Sequence, residues 1–97
     1  MKMEVLRSKY PTRVPVKVCS KLPLRRDKFL VPHDMDVRAL MYVVRKNLNG
    51  VGEREALFLN VNGTMPRLGA TMVELDKAFC NGQGALTVTV NKESVFG

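Results

Sequence analysis

The side chains able to make or break covalent bonds in this chain are few. Of 97 residues, one is histidine, His33, and two are cysteine, Cys19 and Cys80. That is too few for a structural zinc site, which usually takes four ligands. A Cys/His nucleophile pair would have to use His33, yet a lone cysteine in a small chain more often packs as a buried apolar group. The start, "MKMEVLRSKYP", holds no apolar segment that could act as a secretion signal, so both thiols are expected reduced in a cytosolic setting. What remains is the end of the chain. "ESVFG" follows the strand pattern "ALTVTVN", so the fold is expected to be complete before a tail that offers one aromatic ring and a terminal glycine carboxylate.

The charge is uneven. The chain carries a formal +7. Residues 1–54 hold 13 Lys/Arg against 5 Asp/Glu, a net of +8, and residues 55–97 hold 3 against 4, a net of −1. A basic half suits an acidic partner: nucleic acid, an anionic membrane, or acidic peptide segments. The longest apolar run, "ALMYVV", is far too short to cross a bilayer.

The elements that must position these groups follow from periodicity. Residues 1–9 allow a helical turn that Tyr10-Pro11 ends. In "RVPVKVC", Val14, Val16 and Val18 share one face of a strand, and Pro15 on the other face predicts a strand start or an exposed position. "KFLVP" is a second short strand. Asp34 and Asp36 are both suitable helix caps. Val37, Leu40, Met41, Val44 and Leu48 then form the stripe of an amphipathic helix near residues 36–48. "ALFLNVN" alternates again and runs into Asn62-Gly63, the strongest turn signal in the chain. Thr71 and Glu74 form a capping box before a short helix through Phe79. In "ALTVTVN", Leu86, Val88 and Val90 face inward.

One striped helix must cover one face of one sheet. The order therefore predicts an α+β ubiquitin-like β-grasp roll in one domain, residues 1–97. It has a four-stranded mixed sheet packed on one long helix, one short extra helix and at most a short N-terminal helix. The first and last strands are expected side by side and parallel. Residues 1–9 are the N-terminal extension, and 92–97 are expected to form a flexible tail. A ferredoxin-like fold would need a second full-length helix, for which Thr71–Asn81 is too short.

Six blocks, "KYPTRVPVKV", "DKFLVPHDMDV", "RKNL", "ALFLNVNGTMP", "ATMVEL" and "ESVFG", stand in this order over about residues 9–97. Together they resemble the GABARAP-type autophagy ubiquitin-like modifiers, of which this chain looks like a divergent member with a short N-terminus. The resemblance implies that Gly97 is the conjugation site and Phe96 guides the tail. In such proteins the glycine is activated as an adenylate, carried as a thioester on enzyme cysteines, and joined to phosphatidylethanolamine. A carboxylate without a Cβ fits a narrow cleft, and its backbone is free to reach it. The implied partners are activating and conjugating enzymes, a processing and deconjugating cysteine protease, short-motif adaptors, and a membrane through the attached lipid. The protein is then no enzyme and needs no cofactor. It would be cytoplasmic, and on autophagosome membranes when lipidated.

The resemblance also implies a groove for motifs of the form aromatic-x-x-aliphatic, added as a strand beside "KFLVP". Its aliphatic pocket maps to Phe29, Val31, Pro32, Met35, Leu40 and Val43. Its aromatic pocket maps to Leu6, Pro15, Lys17, Leu30 and Ala85, with Arg26 and Lys28 offering charge to acidic flanks. Here the chain departs from the family pattern: Lys17 replaces an aliphatic residue, Ala85 a large aromatic and Asn60 an aromatic. The expectation is a reshaped aromatic pocket with altered motif preference. Two other functions compete. One is a modifier conjugated to a protein lysine. The other is a nucleic-acid binder using the basic half, which lacks a recognition helix or aromatics set between basic residues, so no nucleic acid is expected.

Overall fold

The computed structural model describes residues 3–48, 56–81 and 83–92, with backbone alone at Met3, Glu4 and Lys92. Its elements are α1 (Met3–Lys9), β1 (Arg13–Ser20), β2 (Lys28–Pro32), α2 (Val37–Asn47), β3 (Leu57–Asn60), α3 (Met72–Phe79) and β4 (Leu86–Lys92). The strands form one sheet in the order β2-β1-β4-β3. β1 pairs antiparallel with β2, from Arg13↔Pro32 to Lys17↔Lys28. It pairs parallel with β4, from Val16↔Leu86 to Ser20↔Val90. β3 closes the far side, antiparallel to β4.

The core follows from the alternation. Val14, Val16, Val18, Phe29, Val31, Leu57, Leu59, Leu86, Val88 and Val90 are buried together with Val37, Leu40, Val44 and Leu48 of the α2 stripe. Met41, the remaining stripe residue, is half-buried against them. Of the two possible caps, Asp36 is the one used: its Oδ1 accepts from the Ala39 N–H at 2.8 Å. Thr71 caps α3, accepting from the Glu74 N–H at 3.3 Å. Asn62 and Gly63 take φ of 51° and 77°, the left-handed pair of a two-residue turn. That turn closes a single bridge, Val61↔Thr64, before the chain leaves the sheet.

One expectation is corrected. Pro15 is neither at a strand start nor exposed; it is buried inside β1. Two facts make room for it. The β1–β2 ladder bonds run through the neighbouring pairs, with the Val18 N–H on the Asp27 carbonyl at 2.7 Å and the His33 N–H on the Thr12 carbonyl at 3.2 Å. By alternation, the nitrogen of Pro15 then points away from β2, toward β4. β4 begins pairing only at Val16↔Leu86, so no ladder bond is lost there. Burial comes from α1, which lies over the sheet face opposite α2 and places Leu6 beside Pro15.

α1 has only seven residues, too few to hold a helix unaided. It is anchored by charge. Arg7 grips Asp76 of α3 with both ends of its fork, Nη1 to Oδ2 at 3.0 Å and Nη2 to Oδ1 at 2.7 Å. Its Nε donates to the Gly84 carbonyl at 2.9 Å. Both side chains are largely out of water, 17% and 9% exposed. Hydrogen bonding to Asp76 raises the Arg7 pKa, and burial opposes it only in part. Bidentate pairs of this kind have fixed geometry as well as strength.

Two outcomes are expected. Leu40 has no exposed surface, so Leu40→Ala should lower stability by about 2–5 kcal/mol in urea unfolding, with the slope unchanged. Asp76→Ala strands the Arg7 guanidinium and should cost about 1.5–3 kcal/mol. Hydrogen exchange should then quicken in residues 3–9 while α2 keeps its protection.

Candidate functional site

β2 is an edge strand, and the side chains on its two faces meet different surroundings. The ladder bonds to β1 use its odd-numbered neighbours, so the N–H and C=O groups of Lys28 and Leu30 point out to the open edge. Both outward carbonyls are occupied by arginine. Arg26 Nε donates to the Lys28 carbonyl at 2.8 Å, and Arg13 Nη1 donates to the Leu30 carbonyl at 3.2 Å. An arriving strand would take over these positions.

On the α2 side of β2, Phe29, Val31 and Leu40 belong to the buried core. Met35 and Val43 are half-buried against it, and Pro32 is half-buried at the end of β2. The six residues mapped to an aliphatic pocket therefore split into a buried floor and an accessible rim. Leu40 is wholly in the floor.

On the α1 side there is an open cavity of about 180 Å³. Leu6, Pro15 and Leu30 give it apolar walls, with Ala85 at the start of β4 and Phe29 and Val16 lining it from β2 and β1. Lys17, Arg26 and Lys28 supply its charge. All seven residues mapped to the aromatic pocket and its flank line this one cavity. Lys17 and Lys28 are direct cross-strand partners. Arg26 is held over the Phe29 ring, 5.2 Å from its centroid. The loop that carries Arg26 is fixed in turn by the Arg25 N–H on the Asn47 carbonyl at 2.8 Å and by the bridge Leu24↔Leu48.

Sequence reasoning missed Arg13, Val16 and Arg7. Arg13 could have been found, because it shares a face with Pro15 and Lys17 by alternation. Val16 has its side chain in the core and gave no signal. Arg7 supports the cavity wall through Asp76, a partner 69 positions away in sequence. The cysteines lie elsewhere. Cys19 is exposed on β1 and Cys80 half-buried at the end of α3. Burial pushes the Cys80 thiol pKa up, the Asp76 charge adds to this, and Arg7 opposes it. A thiol held protonated is a weak nucleophile. Among the described residues no cluster of His, Cys, Asp or Glu could hold a metal ion. Phe96 and Gly97 lie outside the described residues.

The comparisons with known proteins agree over the whole chain. Residues 1–97 match the family model for the autophagy protein Atg8, ubiquitin-like. Autophagy-related protein 8 of Dictyostelium discoideum is 33% identical over 100 residues, covering 97% of this chain and 81% of that protein. Autophagy-related protein 8i of Arabidopsis thaliana is 36% identical over 95 residues, covering 93% and 82%. The crystal structure of Trypanosoma brucei ATG8 superposes with a TM-score of 0.82 at 29% identity, covering 97% of this chain and 84% of that one. Plasmodium falciparum Atg8 in complex with a P. falciparum Atg3 peptide superposes with a TM-score of 0.77 at 28% identity, covering 94% and 85%. The β-grasp topology, the blocks spread along the chain and a family match over residues 1–97 have one meaning: the chain belongs to the Atg8 family of autophagy ubiquitin-like proteins.

Proposed function

We propose that this chain is an autophagy modifier joined through Gly97 to phosphatidylethanolamine, and that it recruits adaptor proteins along the open edge of β2. The observation that carries the reading is β2 itself, an edge strand with an apolar surface on each side. Side chains three apart on an extended strand point to opposite faces. An aromatic-x-x-aliphatic segment laid beside β2 would therefore send one anchor to the α1 cavity and the other to the Pro32–Met35–Val43 rim. Its backbone would pair with the outward groups of Lys28 and Leu30. The P. falciparum relative solved with an Atg3 peptide supports binding of a conjugating-enzyme segment. The chain itself performs no catalysis in this reading: its carboxylate is the substrate, and the enzyme cysteines belong to activating, conjugating and processing proteins. It would be cytoplasmic until lipidated and then sit on autophagosome membranes.

Reconstitution tests this. The chain is mixed with matching activating and conjugating enzymes, ATP and liposomes containing phosphatidylethanolamine, and its mass is followed. A lipid adduct at the C-terminus is the expected product. Gly97→Ala should slow it, and deletion of Gly97 should abolish it while the far-UV spectrum and melting curve stay unchanged. Attachment to a protein lysine without lipid, or normal lipid attachment by the deletion variant, would overturn the assignment.

A further inference from the structure

The α1-side cavity is not a plain apolar slot. Its walls are Leu6, Pro15 and Leu30, but three cations stand over it: Lys17, Lys28 and Arg26. Lys17 and Lys28 lie directly opposite each other on neighbouring strands. Like charges in that arrangement repel. Among the described residues neither lysine has an ion pair. Arg26 stacks on the Phe29 ring, and its Nε bond to the Lys28 carbonyl is one that an added strand would take over, freeing the guanidinium for a ligand. Its terminal nitrogens make no hydrogen bond among the described residues. Among the described residues, three cations thus stand together beside an apolar pocket with no carboxylate paired to them.

We propose that this cavity takes a ring bearing a negative charge, and that its preferred occupant is a phosphotyrosine at the first anchor of a strand-adding peptide. The inference rests on the recruitment reading above and names the ligand class of that site. The alternatives fit less well. A neutral indole or phenol would fill the cavity but bring no negative charge or acceptor oxygens to the three cations at its mouth. A carboxylate side chain would answer the charge but leave the apolar walls of Leu6, Pro15 and Leu30 uncovered. A phosphorylated ring does both. The ring lies against the walls, and the phosphate, with a charge of about −1.5 to −2 and three acceptor oxygens, meets the lysines and the guanidinium fork. Ala85 leaves the volume free for the larger group.

The test is a titration series on the full chain. Four peptides share one sequence with leucine at the second anchor and carry phosphotyrosine, tyrosine, tryptophan or glutamate at the first. The phosphotyrosine peptide should bind at least tenfold more tightly than the tyrosine and tryptophan peptides. The advantage should shrink as salt is raised, because it is carried by partly exposed charges. Lys17→Ile and Arg26→Gln, both at exposed positions, should each remove most of it, with Lys17→Ile turning the preference toward tryptophan. If tyrosine or tryptophan binds as tightly as phosphotyrosine, or if the advantage survives in both variants, the charged-ring proposal falls while recruitment by β2 stands. If no peptide binds, recruitment and the proposal fall together. Vesicles of phosphatidylcholine with phosphatidylserine serve as a control. Lys17-dependent binding to them without phosphopeptide binding would assign the cations to a membrane surface and also overturn the proposal.

Discussion

The parallel pairing of β1 with β4 is the constraint on which the rest depends. It joins residues 16–20 to residues 86–90, so the two ends of the fold meet in the middle of the sheet. Once β1 has β4 on one side, its partner on the other is β2, and β2 has no further neighbour among the described residues. The open edge is thus a product of the topology. The same pairing fills the core from both ends of the chain, with Val14, Val16 and Val18 set beside Leu86, Val88 and Val90. Contacts this far apart in sequence cost loop entropy, which the buried stripe of α2 helps to offset.

The sheet, the long helix and its cap were legible because their signals are local. Val14–Val16–Val18 and Leu86–Val88–Val90 alternate, and the α2 stripe repeats at helical spacing. Other features were not legible because their causes are distant. Pro15 read as a strand start or an exposed position, since nothing in its neighbours announces that α1 lies over it. Asp76 gave no signal in the sequence, since its partner Arg7 is 69 residues away. The aromatic-pocket residues came from family likeness, and the structure gathers them around one cavity. The division of the aliphatic set into the buried Leu40 and the accessible Met35 and Val43 needed coordinates.

The α1 cavity depends on a chain of support that runs outside it. Leu6 forms a wall because α1 is docked, and α1 is docked because Arg7 holds Asp76 and the Gly84 carbonyl. α3 therefore serves the groove without touching it. Changes at Asp76 can alter binding at β2 through helix position alone, with every residue that lines the groove intact. Across the sheet, the α2 side is rigid core with a thin accessible rim. The two faces of β2 thus differ in kind: one packed, the other assembled from a short helix and a salt bridge.

The arginines on the outward carbonyls of β2 bear on self-association. An unpaired strand edge is a template for pairing with a second copy, and proteins guard such edges with charge. Here Arg13 and Arg26 already satisfy the Leu30 and Lys28 carbonyls. Two such edges approaching each other would each have to release two guanidinium groups into a field of like charge. Edge-to-edge stacking of copies is thereby opposed, even when many are crowded on one surface, while a strand that brings acidic groups gives the displaced arginines new partners. The side chains that oppose pairing with a second copy thus stand where an added strand would have to meet them.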